Sequence, residues 1–512
     1  LGAKSAVGGQ ACLLQAGLSA NSGLGSERNV IENLPPETSG KARLNMSRRN
    51  FFALICLLSL VLAASVFASY ALAQAAPDWK ALDAYIEASM KLWEVPGVAV
   101  AIVQGDAVVH IKGYGVRDLT TGESVTAETL FAIGSASKAF TTAALAILVD
   151  EGRMQWDDPA RKHIDFFRLA DPLASECVTM RDLVTHRVGL PRTDLLWYAA
   201  PFTREEMIRR VADAKPSATF REKFQYQNVM YAAAGYAVGR VTGGTWEAFV
   251  RQRLFQPLGM ADANFSMVDA QKAANHATPH RKKDGKVITI PWRNIDEVGP
   301  AGSINAHVRD IAKWILLHLN NGEFNRERII SEKNMLEMHT PQMVIRREPP
   351  WSLYFADTTQ LSYGLGWFIQ EYRGHQVIGH GGNIDGFSAL VAFVPEGDFG
   401  FVILTNMNGT QLPMVIGNRI ADLLLKLPEK DWNAQFKQAR EQLEAMQKKA
   451  REEWKAKQRT GTNPSRELAA YVGTYENPAY GRASIALENG QLVFQYHHLL
   501  GKLEHFHFDT FL

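Results

Sequence analysis

Ser135-Ala-Ser-Lys138 is the one S-x-x-K in the chain. On a helix, residues three apart share a face, so the Lys138 amine can lie beside the Ser135 hydroxyl. A serine hydroxyl is a weak nucleophile until a neighbouring base takes its proton. An amine that is partly desolvated near the positive end of a helix dipole can lose enough basicity to be that base. An isolated match of this kind is more often an N-cap serine beside a solvated lysine. Tyr226-Gln-Asn228 offers a phenol that could serve as base or proton shuttle, and an amide that could bond both the lysine and a substrate. That pattern is not unique, since Tyr475-Glu-Asn477 matches it too. His380-Gly381-Gly382, followed by Asn383, is the one H-x-G and follows a short apolar run. Its glycines would let a substrate backbone approach an edge strand, and His380 supplies a donor or a titratable group. The bland alternative is a strand end followed by a turn.

The elements that must position these residues can be read from periodicity. Residues 81–93 have helical spacing, and residues 97–110 read as two strands around a Gly-Asp turn. Residues 134–280 are mainly helical, with residues 143–148 a buried anchor behind Ser135 and Lys138. Residues 377–379, 387–394 and 399–405 are three further strands. Strands at both ends and helices between them predict an α+β fold with one sheet closed by both termini. Trp432, Phe436, Ala439, Leu443, Met446, Ala450 and Trp454 recur at spacings of three and four, an amphipathic helix. The expected organisation is a catalytic domain over 78–427, a helix and linker over 428–463, and a β-rich segment over 464–512 that stops in mid-pattern.

Composition narrows the function classes. The 512 residues carry 55 basic and 53 acidic side chains, and no basic cluster is interleaved with aromatics, which argues against a nucleic-acid partner. Residues 46–73 have a basic start, an apolar run and small residues at Ala71 and Ala73, as an export signal does. Ser47-Arg48-Arg49-Asn50-Phe51 resembles a twin-arginine signal, and ordinary secretion is an equal alternative. Left uncleaved, residues 51–73 would tether the chain to a membrane. The expected localisation is therefore periplasmic or secreted, and residues 1–45 read as a disordered leader or a mis-assigned start. Beyond the signal only Cys177 remains, which excludes an intrachain disulfide or a cysteine metal site there. The His pairs near residues 497 and 505 read as strand faces, so no metal and no cofactor is expected. G-x-S-x-G and H-E-x-x-H are both missing.

Three weak signals in one order, each at an element boundary, together resemble the serine β-lactamase and penicillin-binding protein superfamily. The nearest branch is the class C-like one, with its D-specific peptidases and esterases. Residues 185–191, 255–260, 299–304 and 363–367 extend the resemblance over about 79–427. It implies an α-β-α sandwich with a helical subdomain, and Ser135 as the acylated nucleophile. Lys138 and Tyr226 would share the proton relay, the identity of the base being left open. The oxyanion donors would be the backbone N–H groups of Ser135 and Asn383, beside Asn228, Gly381 and Gly382. His380 stands where true β-lactamases usually carry a lysine, and looks more like the D-aminopeptidase members. The segment after Pro464 resembles a lipocalin-like C-terminal domain. The implied function is a serine hydrolase of small-molecule or short-peptide substrates, peptide or ester. A β-lactamase and a non-catalytic penicillin-recognising sensor are the alternatives, and a homo-oligomer is left open.

Overall fold

The computed structural model describes residues 77–512, so the expectations for the leader and export signal lie outside the described residues. Helix α1, Trp79–Trp93, starts where the Asp78 carboxylate accepts from Ala81 N at 3.0 Å. It buries Leu82, Ile86 and Met90 along one stripe. The hairpin β1 (Gly97–Gln104) and β2 (Ala107–Gly115) follows, as the Gly-Asp turn predicts. The chain then leaves the sheet for its helical half. Helix α2, Lys138–Asp150, is buried from Lys138 through Leu148. Helix α3, Asn228–Thr242, is N-capped by Gln227 and ends at the left-handed Gly243, and helix α4 spans Val308–Leu319.

The sheet resumes with β3 (Met343–Val344), β4 (Thr358–Tyr363), β5 (Phe368–Tyr372), β6 (His375–Ile384), β7 (Phe387–Val394) and β8 (Phe399–Thr405). Its order is β2-β1-β8-β7-β6-β5-β4-β3, antiparallel throughout. The N-terminal hairpin thus joins the last strand, Val98 opposite Thr405, and the sheet is closed from both ends of the domain. Period-2 burial holds on β7, where Phe387, Val391 and Phe393 face the α2 and α4 side while Leu390 and Ala392 face the other. Phe140 of α2 stacks on Trp314 of α4 at 4.0 Å within the first layer.

The second layer is α1, α5 (Leu412–Leu424) and the start of α6 (Trp432–Lys455). It is pinned by Asp422, which is buried and accepts from Tyr372 Oη at 2.7 Å, Arg373 Nη1 at 2.6 Å and Trp432 Nε1 at 2.8 Å. The apolar stripe expected on α6 is only partly used. Trp432, Phe436 and Ala439 are buried, whereas Met446 is exposed and Trp454 instead stacks on Phe506 at 4.5 Å. No described helix is long and apolar enough to cross a membrane.

The C-terminal segment forms a four-stranded antiparallel meander over Gly473–Lys502. It rests on the catalytic half: Ala479 joins the first core and Tyr496 Oη donates to the Leu195 carbonyl at 2.9 Å.

Removing one partner of a buried charged cluster strands the others without hydrogen bonds. Asp422→Ala should therefore cost about 3–5 kcal/mol in denaturant unfolding. A loss under about 1 kcal/mol would show that the cluster does not fasten the second layer.

Candidate active site

Ser135 stands half-buried in a short 3-10 turn, Gly134–Ser137, at the entry to α2. Lys138, the first residue of α2, is fully buried. Its Nζ lies 3.1 Å from Ser135 Oγ, 2.8 Å from Asn228 Oδ1 and 2.7 Å from the Ala301 carbonyl oxygen. None of the three is a carboxylate. Burial accordingly pushes the amine far below its ordinary pKa; the nearby Arg192 charge adds to this and Asp194 opposes it. A neutral amine has two hydrogens and one lone pair. The Asn228 and Ala301 oxygens can only accept, so they take the hydrogens and leave the lone pair facing the Ser135 hydroxyl.

The orientation of Asn228 is set from its other end. Its Nδ2 donates to Asp194 Oδ1 at 3.0 Å, and the same carboxylate accepts from Trp197 Nε1 at 2.9 Å and from Arg192 Nε at 2.7 Å. The Ala301 carbonyl is fixed by the surrounding loop, where Thr141 Oγ1 donates to the Pro300 carbonyl at 2.7 Å and Ile304 N donates to Ser137 Oγ at 3.1 Å.

Tyr226 immediately precedes the Gln227 cap of α3. Its ring lies 4.7 Å from Lys138 Nζ and 5.2 Å from the Arg192 guanidinium. Burial raises this tyrosine above its ordinary pKa even though Ser135 and Arg192 both favour the phenolate. Tyr226 is thus a phenol at neutral pH, with a proton to give.

His380 is also buried, but its ring nitrogens are engaged away from Ser135. Nδ1 lies 2.5 Å from the Gly381 carbonyl and Nε2 3.0 Å from Tyr363 Oη. The carbonyl can only accept, which places the imidazole hydrogen on Nδ1 and makes Nε2 the acceptor from Tyr363. Burial and the Lys138 amine hold the imidazole down to about 3. Tyr363 in turn lies 3.2 Å from Tyr231 Oη, which donates to the Val184 carbonyl at 2.6 Å.

Strand β6 meets the Ser135 turn through backbone alone. Its pairing with β5 stops at Gly379, while pairing with β7 runs on to Ile384, so residues 380–384 turn one edge toward the turn. A Cβ on Gly382 would lie 1.8 Å from the Ile133 carbonyl oxygen, so only glycine fits. Gly134, at φ +52°, sits against Asn383 N from the other side. This contact brings the backbone nitrogens of Ser135 and Asn383 to the same close approach of the two segments. The Asn383 side chain accepts from Ser388 Oγ at 2.7 Å. Gly381 and Asn383 line a cavity of about 350 Å³ together with Ser135, Tyr226, His380 and Arg192.

Arg192 and Asp194, one and three residues after the Gly189-Leu-Pro191 turn, are functional neighbours that the motifs alone do not mark. An Arg-x-Asp after that turn was the available signal. Tyr231 and Tyr363 carried none, because a buried tyrosine reads as core. No group of residues that could hold a metal occurs among the described residues.

With this geometry in view, the comparisons with known proteins are consistent. The sequence model of the Beta-lactamase family matches residues 82–426, and the chain belongs to that family. It is a serine hydrolase of that superfamily, with its α+β fold. Residues 457–512 match a domain of unknown function, DUF3471. The unguisins hydrolase of Aspergillus campestris is 28% identical over 420 residues, spanning 78% of this chain and 76% of its own length. The octameric penicillin-binding protein homologue from Pyrococcus abyssi superposes with a TM-score of 0.63 at 24% identity, covering 83% of this chain and 90% of its own. The D-amino acid amidase of Ochrobactrum anthropi gives 0.54 at 22%, covering 67% and 97%.

The two charges beside Lys138 act on it with opposite signs. Removing the Arg192 cation makes a protonated Lys138 easier to hold, so Arg192→Gln should move the acid limb of the kcat/KM profile to higher pH. Asp194→Asn keeps an acceptor for Asn228 and should move the same limb to lower pH. Shifts in one common direction, measured from pH 4 to 9 on one ester substrate, would sink the assignment of that limb to Lys138.

Proposed function

We propose that this chain is an exported hydrolase that forms an acyl-enzyme on Ser135, acting on an ester or on a peptide, D-amino-acid peptides included. The observation that carries the reading is the Lys138 amine: fully buried, 3.1 Å from Ser135 Oγ, with both other partners acceptor-only. In this reading Lys138 is the base. As Ser135 Oγ attacks the substrate carbonyl carbon its proton passes to Nζ, and the oxyanion is received by the N–H groups of Ser135 and Asn383. Tyr226, a phenol whose ring lies beside the Lys138 amine, hands a proton to the leaving group and is refilled from Lys138. Water then attacks the acyl carbon by the reverse route.

The names of two relatives, an unguisins hydrolase and a D-amino acid amidase, fit acyl transfer of this kind. A dedicated β-lactamase is the weaker reading: His380 is neutral and faces Tyr363, so it offers no cation for the carboxylate beside a β-lactam ring. A non-catalytic sensor would not need Lys138, Tyr226 and Asn228 all in place around the serine. Export rests on the signal-like segment at residues 46–73.

Incubation with a fluorophosphonate should add one adduct to Ser135 by peptide mass spectrometry, and Ser135→Ala should remain unmodified. Lys138→Met should lower kcat by about 10²–10⁴-fold, the usual contribution of general base catalysis. An adduct that persists in Ser135→Ala would falsify the mechanism. Across nitrocefin, p-nitrophenyl butyrate and D-amino-acid amides, kcat/KM should be lowest for nitrocefin.

A further inference from the structure

The cavity that begins at Ser135 does not end there. Beyond His380 and Gly381 it continues to the opposite face of the sheet, into the gap between β6 and β7 and the helix α5. Its walls there are Val377, Leu390, Ala392 and Phe401 from the strands and Met414, Gly417 and Ala421 from α5, with Gln370, Gln411 and Asn418 as neutral polar members. Elsewhere this interface is filled by Leu412, Val415 and Ile416, all buried. Here the short side chains of Ala392 and Ala421 bound the room, while Gly417 packs closely on Leu390 and Phe401. The passage is open at Gly381, where a Cβ would meet only the Ala389 carbonyl oxygen, at 3.6 Å. Of the lining residues only Arg192 carries a full charge, and it stands at the mouth with its Nε committed to Asp194.

We propose that this inner half of the cavity is the seat of an apolar, unbranched acyl arm, which makes the preferred substrate an ester or amide of a medium-length aliphatic acid. The inference rests on the acyl-enzyme reading given above. The proton relay of Lys138 and Tyr226 must face the leaving group, so the other substituent of the attacked carbonyl points away from Tyr226, along β6 and past Gly381. A carboxylate or ammonium on that arm would be desolvated against walls that hold no Lys, Asp or Glu. An aliphatic chain loses nothing there and gains about 25 cal/mol for each Å² removed from water.

The test uses n-alkylboronic acids from methyl to octyl and the full chain, with affinity read by calorimetry so that turnover is not needed. Boron accepts an electron pair from Ser135 Oγ and becomes tetrahedral with its three substituents kept, while the hydroxyl proton passes to Lys138. The alkyl group then occupies the place of the acyl arm. Binding should tighten about fourfold per added methylene until the cavity is full. Met414→Trp should remove the gain beyond propyl while leaving methylboronic acid within about twofold of the parent affinity, and Met414→Ala should carry the gain to longer chains. A parent series that is flat from methyl to octyl, or one unchanged by Met414→Trp, overturns the acyl-arm assignment and leaves the serine mechanism standing. If no boronic acid binds, or Ser135→Ala binds the series equally well, the acyl-enzyme reading fails and the inference fails with it.

Discussion

A lysine amine buried without a carboxylate is the constraint on which the rest of this site depends. An ammonium ion in that position would lack the counter-charge that makes burial tolerable, so burial drives the amine strongly toward its neutral form. Both hydrogens of that neutral amine are taken by oxygens held from opposite sides, one on α3 and one on the loop before α4. What remains is a lone pair aimed at Ser135. A flexible or solvated lysine three residues from a serine would be protonated at neutral pH and could not act as a base.

Holding that arrangement requires segments far apart in the chain to meet within hydrogen-bond distance. The apolar helix α2 seats Lys138 in the first core, and Thr141 and Ser137 on and beside it fasten the loop that presents Ala301. Asp194 orients Asn228 from a third segment. Strand β6 closes the site from a fourth, and does so without side chains, because the Gly382 approach to Ile133 leaves room for none. Asp422 steadies the far face of the sheet by joining β5, α5 and α6 at one carboxylate. The C-terminal meander reaches the same region from outside: Tyr496 bonds the carbonyl of Leu195, the residue next to Asp194. A segment appended to the catalytic half therefore bears on the turn that orients Asn228.

The parts of this site that were legible in the sequence are the local ones. Ser135 and Lys138 share a helix start, and their relation follows from a spacing of three. Tyr226 and Asn228 were legible only in company, since Tyr475-Glu-Asn477 has the same pattern and lies in a strand of the C-terminal meander. Asp194 and the Ala301 carbonyl act through tertiary contacts that no spacing encodes. His380 was expected as a donor or titratable group facing the site, but periodicity gives no account of the Tyr363 hydroxyl that engages its ring. The fold shows the same division. The outer hairpin and the last three strands announced themselves as apolar runs between turns, while β4 and β5, short and carrying Thr, Gln, Ser and Glu, did not. The stripe on α6 was read correctly as apolar, yet burial depends on what lies opposite, and only its first turns face the body.

The replacement of a lysine by His380 has a consequence for substrate charge that extends past the residue itself. A lysine at that strand position would bring a mobile cation to the mouth of the cavity. The imidazole brings none, because a protonated ring would be a charge buried without a counter-ion, and both burial and the Lys138 amine oppose it. The guanidinium of Arg192 does not make up the loss in full, since Asp194 neutralises it at 2.7 Å. Field at the mouth is thereby small, and recognition there falls to backbone N–H groups, the Tyr226 ring and apolar walls. Under the proposed acyl-enzyme reading, such a site would select by shape and by the polarity of the scissile carbonyl more than by ionic charge, which would suit neutral esters and amides and leave β-lactam carboxylates without a dedicated partner.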